Sequence, residues 1–146
     1  MTTSSRDKQY AAFVAARQAH LRRVAYALCG DWHRAEDVLQ TSLVKLYLAW
    51  PRIHSAGREE AYARQIIVRA TIDEARRPWR RRERSGIEER DVPARADLPY
   101  EERSALLDAL HELPTMQRRV VVLRYWLGLS VEETATDLGI STGTVK

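Results

Sequence analysis

The chain has 146 residues, with 24 Lys and Arg against 20 Asp and Glu and a formal net charge of +4. That length accommodates one ordinary domain or two small helical ones and excludes a large enzyme. There is no signal-like opening and no apolar run near the about 18 residues a membrane span needs, so a cytoplasmic protein without membrane insertion is expected.

The charge is unevenly placed. Residues 1–84 carry 17 basic and 9 acidic side chains, about +8, whereas residues 85–146 carry 7 and 11, about −4. The first part is therefore the expected partner of a polyanion. Nearly all its basic residues are Arg, whose planar fork grips phosphate and stacks on bases, although a high-GC genome would also enrich Arg. The single cysteine, Cys29, lies in an apolar helical run and has no internal disulfide partner. His20, His33, His54 and His111 show no ligand spacing, so neither a metal nor another cofactor is expected.

After the polar opening MTTSSRDKQ, a helix is predicted from about Tyr10 to Cys29, with Phe13, Val14, Leu21, Val24, Ala25 and Leu28 at helical spacing. Gly30 then serves as a stop and Asp31 as an N-cap. A second helix repeats Trp32, Ala35, Leu39, Leu43, Leu46 and Trp50 every three or four residues, and Pro51 is expected to end it. The loop PRIHSAGRE leads to a third helix from Glu59 or Glu60, with Ala63, Ile66, Ile67, Ala70 and Ile72 inward. From Ser85 to about Pro99, Gly, two Pro and few large apolar residues read as a linker.

Beyond the linker, Leu106, Leu107 and Leu110 mark one helix and PTMQRRVVVLRYWLG a second, with Pro114 suited to its first turn. LSVEETATDLGI then presents Ser130 with Glu133 three residues on, a capping box, and Gly139 as its close. With no strand signal and no repeat, the fold class is all-α: two small helical domains joined by a flexible linker. The boundaries are 1–84, 85–98 and 99–146.

Three patterns bear on function. SVEETATDLGISTGTVK has the small Ala135 where two helices would cross, the turn residue Gly139 and the polar first turn STGT, as a helix-turn-helix requires. Val131, Leu138, Ile140 and Val145 would hold its helices together, and an unrelated helical hairpin has the same spacing. Glu36 and Asp37 lie off the apolar stripe of their helix with Gln40 one turn on, beside Trp32 and Leu39; a solvated polar face reads the same way. Arg76, Arg77, Arg80, Arg81, Arg82 and Arg84 surround Trp79, which pairs phosphate contacts with a stacking platform, or forms a solvated helix end.

In order along the chain, AEDVLQTSLVKLYLAW, AYARQIIVRATIDEARR and LPTMQRRVVVLRYWLGLSVEETATDLGISTGTVK resemble the corresponding parts of extracytoplasmic-function RNA polymerase sigma factors of the sigma-70 type. The resemblance covers about residues 10–84 and 99–146. It implies that 1–84 is sigma region 2, binding core polymerase and the −10 element, and that 99–146 is sigma region 4, binding the −35 element. Core RNA polymerase, through the largest-subunit clamp helices and the flap, and promoter DNA are the implied partners, with an anti-sigma protein a further candidate.

Carried over residue by residue, the resemblance implies core-polymerase contacts at Glu36, Asp37, Gln40 and Leu39. It implies −10 contacts at His54, Arg69, Arg76, Arg77, Trp79, Arg80, Arg81 and Arg82, and −35 contacts at Ser141, Thr142, Thr144 and Lys146. Two departures stand out: Arg69 falls where many members have Asn, and Pro78 interrupts a helix that usually continues. The linker acids Glu88, Glu89, Asp91 and Asp97 would suit a polymerase channel that later carries nucleic acid, and solvation of a disordered segment explains them equally.

Only about one turn of the reading helix follows Thr142, and the family continues past GTVK with a basic helix, so a C-terminally incomplete chain is expected, or loss of −35 recognition. In that case Leu138 and Ile140 are expected to be poorly covered. The function implied is promoter-specific initiation without catalysis. A stand-alone helix-turn-helix regulator is the alternative, but it leaves AEDVLQ and the basic third helix without a role. An enzyme would need paired carboxylates with metal geometry or a nucleophile with its base, and Asp73 and Glu74 beside Arg read as a salt-bridged face. Apolar faces around Leu39, Leu43, Leu123 and Trp126 are expected to serve core subunits or an inhibitor.

Overall fold

A computed structural model describes residues 3–76 and 100–146. Its helices are α1 (Thr3–Cys29), α2 (Trp32–Ser55), α3 (Glu59–Arg76), α4 (Tyr100–His111), α5 (Thr115–Val121), α6 (Val131–Leu138) and α7 (Thr142–Val145), with a π-helical turn at Val122–Trp126 after α5. The predicted linker at 85–98 lies outside the described residues.

The first three helices pack on one another through the stripes expected of them. Leu21, Val24 and Leu28 of α1 meet Leu39, Leu46 and Trp50 of α2 and Ile67 and Val68 of α3 in a common buried cluster. Two boundaries differ from the sequence expectation. The polar opening is helical from Thr3, because tertiary contacts recruit it: Tyr47 Oη donates to Asp7 Oδ1 at 2.8 Å, and Tyr10 Oη donates to the Leu43 carbonyl at 2.6 Å.

Pro51 does not end α2, which continues to Ser55. A proline inside a helix costs about 3 kcal/mol through its missing N–H and its ring clash. Burial of Trp50 and Ile53 on either side offsets that cost, as does His54 stacked on Trp50 with ring centroids 4.9 Å apart. Gly30, at φ +78°, and Asp31, whose side chain accepts from the Arg34 N–H at 3.1 Å, do turn the chain between α1 and α2. Arg34 then braces three helices, donating to the Cys29 carbonyl at 2.8 Å and pairing with buried Glu74 at 3.3 Å.

In the second half, the predicted helix over PTMQRRVVVLRYWLG is broken by the π-helical turn, where the Leu127 N–H reaches back five residues to the Val122 carbonyl at 3.0 Å. Consecutive Val122 and Leu123 at the start of this turn are both fully buried. Burial also corrects the expectation that Leu123 offers an apolar docking face. The capping box forms as expected: the Glu133 N–H donates to Ser130 Oγ at 3.0 Å and the Ser130 N–H to Glu133 Oε1 at 2.8 Å. Gly139 closes α6 in the left-handed conformation at φ +70°.

The halves do not stand apart. Leu107, Leu110, Val122, Leu123, Leu129 and Leu138 join the apolar cluster of α1–α3. Across this seam Arg64 Nε of α3 pairs with Asp137 Oδ2 of α6 at 2.7 Å, and Arg69 Nε donates to the Asp137 carbonyl at 3.0 Å. Leu138, expected to be poorly covered, is buried because α6 packs on α3, and Ile140 is half-buried against the same cluster.

Candidate nucleic-acid and polymerase interface

The outward face of α2 bears the first candidate site. Asp37 and Gln40 are exposed on it. Glu36 is half-buried and already engaged, accepting from Arg22 Nε at 2.9 Å and from Gln40 Nε2 at 3.1 Å. The Arg22 hydrogen bond, with that of Gln40, holds its carboxyl below the usual carboxylate range against a smaller opposing effect of burial. Glu36 therefore organises the face and fixes the Gln40 amide.

Leu39 is a correction. It is 0% exposed and belongs to the core, so it cannot touch a partner in this fold. The apolar contacts available on α2 are instead Val44 and Leu48, 61% and 74% exposed. Both lie off the stripe of Ala35, Leu39, Leu46 and Trp50, at helical spacing from Asp37, Gln40 and Thr41. That displacement from the buried stripe is the signal in the sequence that marks Val44 and Leu48 as surface residues.

The −10 candidates disperse. His54 is half-buried between Trp50 and Glu59, with its Nδ1 2.6 Å from Glu59 Oε2, so one ring edge is committed within the fold. Arg69 is exposed, but its Nε is bonded to the Asp137 carbonyl across the seam. Arg76 is exposed at the end of α3. Arg77, Trp79, Arg80, Arg81 and Arg82 lie outside the described residues.

In the helix-turn-helix, Thr142, Thr144 and Lys146 are exposed, as is Ser141. Ser141 Oγ caps α7 by accepting from the Thr144 N–H at 3.2 Å and lies 3.0 Å from Thr144 Oγ1, so these two hydroxyls are partly committed to each other. The fold brings α6 onto the Arg64–Arg69 face of α3, with α7 packed on α6, while the acidic face of α2 stays separate. Sequence reasoning missed Arg64 and Asp137, because a pair 73 residues apart leaves no local pattern. Tyr125, 74% exposed beside Trp126, is a further unanticipated surface aromatic.

A three-helix unit with an exposed acidic and apolar face, packed with a helix-turn-helix, is the architecture of a helical transcription-regulator class. Comparison with known proteins sharpens this. Residues 13–81 match the Sigma-70 region 2 family model and residues 103–146 match the Sigma-70, region 4 model. The RNA polymerase sigma-E factor of Streptomyces coelicolor is 35% identical over 142 residues, covering 94% of this chain and 78% of the relative. The ECF RNA polymerase sigma factor SigL of Mycobacterium tuberculosis is 35% identical over 137 residues, covering 88% of this chain and 75% of the relative. In fold, the sigma factor RpoE of Bartonella quintana, solved in complex with the anti-sigma factor NepR, superposes with a TM-score of 0.68 at 24% identity, covering 94% of this chain and 88% of that one. The chain belongs to the sigma-70 family of RNA polymerase sigma factors, in its extracytoplasmic-function group.

Proposed function

We propose that this chain binds core RNA polymerase in the cytoplasm and directs initiation at a specific set of promoters, catalysing no reaction itself. The observation that carries this reading is the occurrence of both sigma regions, in order, in one chain similar to named sigma factors over 94% of its length. Region 2 is assigned to 1–84, the linker to 85–98 and region 4 to 99–146.

Asp37 and Gln40, braced by Glu36 and flanked by Val44 and Leu48, form the core-binding face. Acid ringed by exposed apolar side chains suits a basic helical partner such as the clamp helices. The −10 element is engaged by His54, Arg69, Arg76 and the run Arg77, Trp79, Arg80, Arg81 and Arg82, whose basic and aromatic composition suits an opened strand. Ser141, Thr142, Thr144 and Lys146 contact the −35 backbone, and the flap of the polymerase is the partner of region 4. An anti-sigma protein is a candidate inhibitor, supported by the complex in which the Bartonella relative was solved.

Reconstitution with core polymerase, followed by run-off transcription on a fragment library, tests the reading. Selective initiation from a reproducible promoter set is expected. DNA binding without capture of core polymerase would instead favour the stand-alone regulator.

A further inference from the structure

Where α4 seats on the first half of the chain, its last residue, His111, makes the contact with α1. The imidazole lies against the corner where α1 turns into α2. Its Nε2 stands 3.3 Å from the Tyr26 carbonyl, and its ring meets the Tyr26 ring edge to face with centroids 5.1 Å apart. Tyr26 is in turn stacked flat on Trp32 of α2 at 3.9 Å. The ring also borders Gly30, where a Cβ would stand 3.6 Å from His111 Cδ2.

His111 is half-buried, and the surface that covers it belongs to the other half of the chain. Burial lowers its pKa, and the Arg118 guanidinium of α5 acts in the same direction. The Tyr26 and Ala27 carbonyls of α1, and Asp108 three residues back on α4, favour the proton and are outweighed. These groups act on the ring from α1, α4 and α5, and α2 presents the uncharged Trp32 behind Tyr26. Arg118 and Asp108 travel with His111 in the second half and act on it whether or not the halves are joined. Burial and the two carbonyl contacts end when α4 leaves α1, and burial is the larger effect. The closed arrangement therefore disfavours the proton, and by linkage the proton disfavours the closed arrangement.

We propose that His111 is an acid-operated latch between the two halves of the chain. Neutral, it lets α4 seat on the corner of α1 and α2; protonated, it releases α4 and lets the halves part. Parting them also frees Arg69 Nε from the Asp137 carbonyl. That consequence bears on the −10 reading, while the latch stands on the seam alone.

Small-angle X-ray scattering of the full chain tests this between about pH 8 and about pH 5, the range in which histidine changes charge. Ionic strength is held constant, helicity is followed by circular dichroism, and the His111 ring protons are followed by NMR. A radius of gyration that grows as pH falls below about 6.5, at constant helicity, is expected. One proton links the two states, so the open-to-closed ratio should rise by up to about tenfold per pH unit until the closed-state value is passed. His111→Gln, whose amide can still donate to the Tyr26 carbonyl but cannot take up charge, should stay compact throughout. His33→Gln, at an exposed histidine of α2, should open like the parent.

An unchanged radius down to about pH 5 would overturn the proposal. So would equal expansion of His111→Gln, or expansion abolished by His20→Gln instead, since His20 lines a cavity of the same seam beside Arg64 and Trp126. Expansion that always accompanies loss of helicity would overturn it too, because acid would then be unfolding the chain. If His111→Gln fails to fold, the parent decides alone: its expansion must follow the titration of the His111 resonances. Neither polymerase nor promoter enters the assay, so its failure leaves the sigma-factor reading untouched.

Discussion

Removing Arg64 should cost more than removing its partner Asp137, and should act first on the packing of the two halves. The Asp137 side chain is 1% exposed and that of Arg64 is 21% exposed, with 2.7 Å between Nε and Oδ2. Arg64→Ala strands a carboxylate in the interior, a change that typically costs about 3–5 kcal/mol. Asp137→Ala strands a guanidinium on a long stem already near solvent, so the loss falls nearer the about 1.5–3 kcal/mol of a charged hydrogen bond.

The two residues sit on α3 and α6, so the stranded carboxylate of Arg64→Ala is hydrated most cheaply by separating those helices. The cost of that separation caps the observed destabilisation. Arg64→Ala should therefore enlarge the radius of gyration in X-ray scattering, and increase proteolysis at the seam, before helicity is lost in a urea titration followed by circular dichroism. The double variant should be more stable than Arg64→Ala alone, because it buries no unpaired charge. If both single variants stay within about 0.5 kcal/mol of the parent, as ordinary surface substitutions do, with unchanged size, the pair does not hold the seam.

Asp37→Arg should abolish capture of core polymerase while helicity is preserved, a loss of about 2–5 kcal/mol in a co-purification or fluorescence binding assay. Leu48→Ser should weaken that capture with little change in stability, whereas Leu39→Ala, in the core, should cost about 2–5 kcal/mol of folding free energy by denaturant titration. Burial pushes the Cys29 thiol up to about 12, ahead of smaller electrostatic effects, so iodoacetamide at pH 8 should leave the folded protein unlabelled and modify it once denaturant is added. For His111, burial lowers the pKa in the folded state, so the folded protein takes up that proton less readily than the unfolded chain. Its contribution to stability should be complete above the ordinary histidine value near about 6.5 and be lost as pH falls toward the folded value; a His111→Gln variant with an equally steep decline in Tm across that window would exclude it as the source.

Local chemistry made much of this protein legible. Gly30 with Asp31, Ser130 with Glu133, and Gly139 each act within a few residues along the chain, and the structure places the caps and turns where those residue types require them. The core stripes of α2 and α3 were likewise readable, because a helix buries positions three and four apart whatever it packs against. Where distant contacts compete with local preference, the sequence was silent. Pro51 is helical because Trp50 and Ile53 are buried, and Thr3–Gln9 are helical because Tyr10 and Tyr47 tie α1 to α2.

The same holds at the functional surfaces. A polar run announces that Glu36, Asp37 and Gln40 face outward, but only the packed structure decides that Leu39 is spent on the core and that Val44 and Leu48 are left to a partner. The meeting of Arg64 with Asp137, and of His111 with Tyr26, depends on how two sets of helices share one apolar seam. No periodicity encodes it: hydrophobic patterning specifies which face of each helix is buried, and only the shape of the opposing faces selects which charges come together when they close.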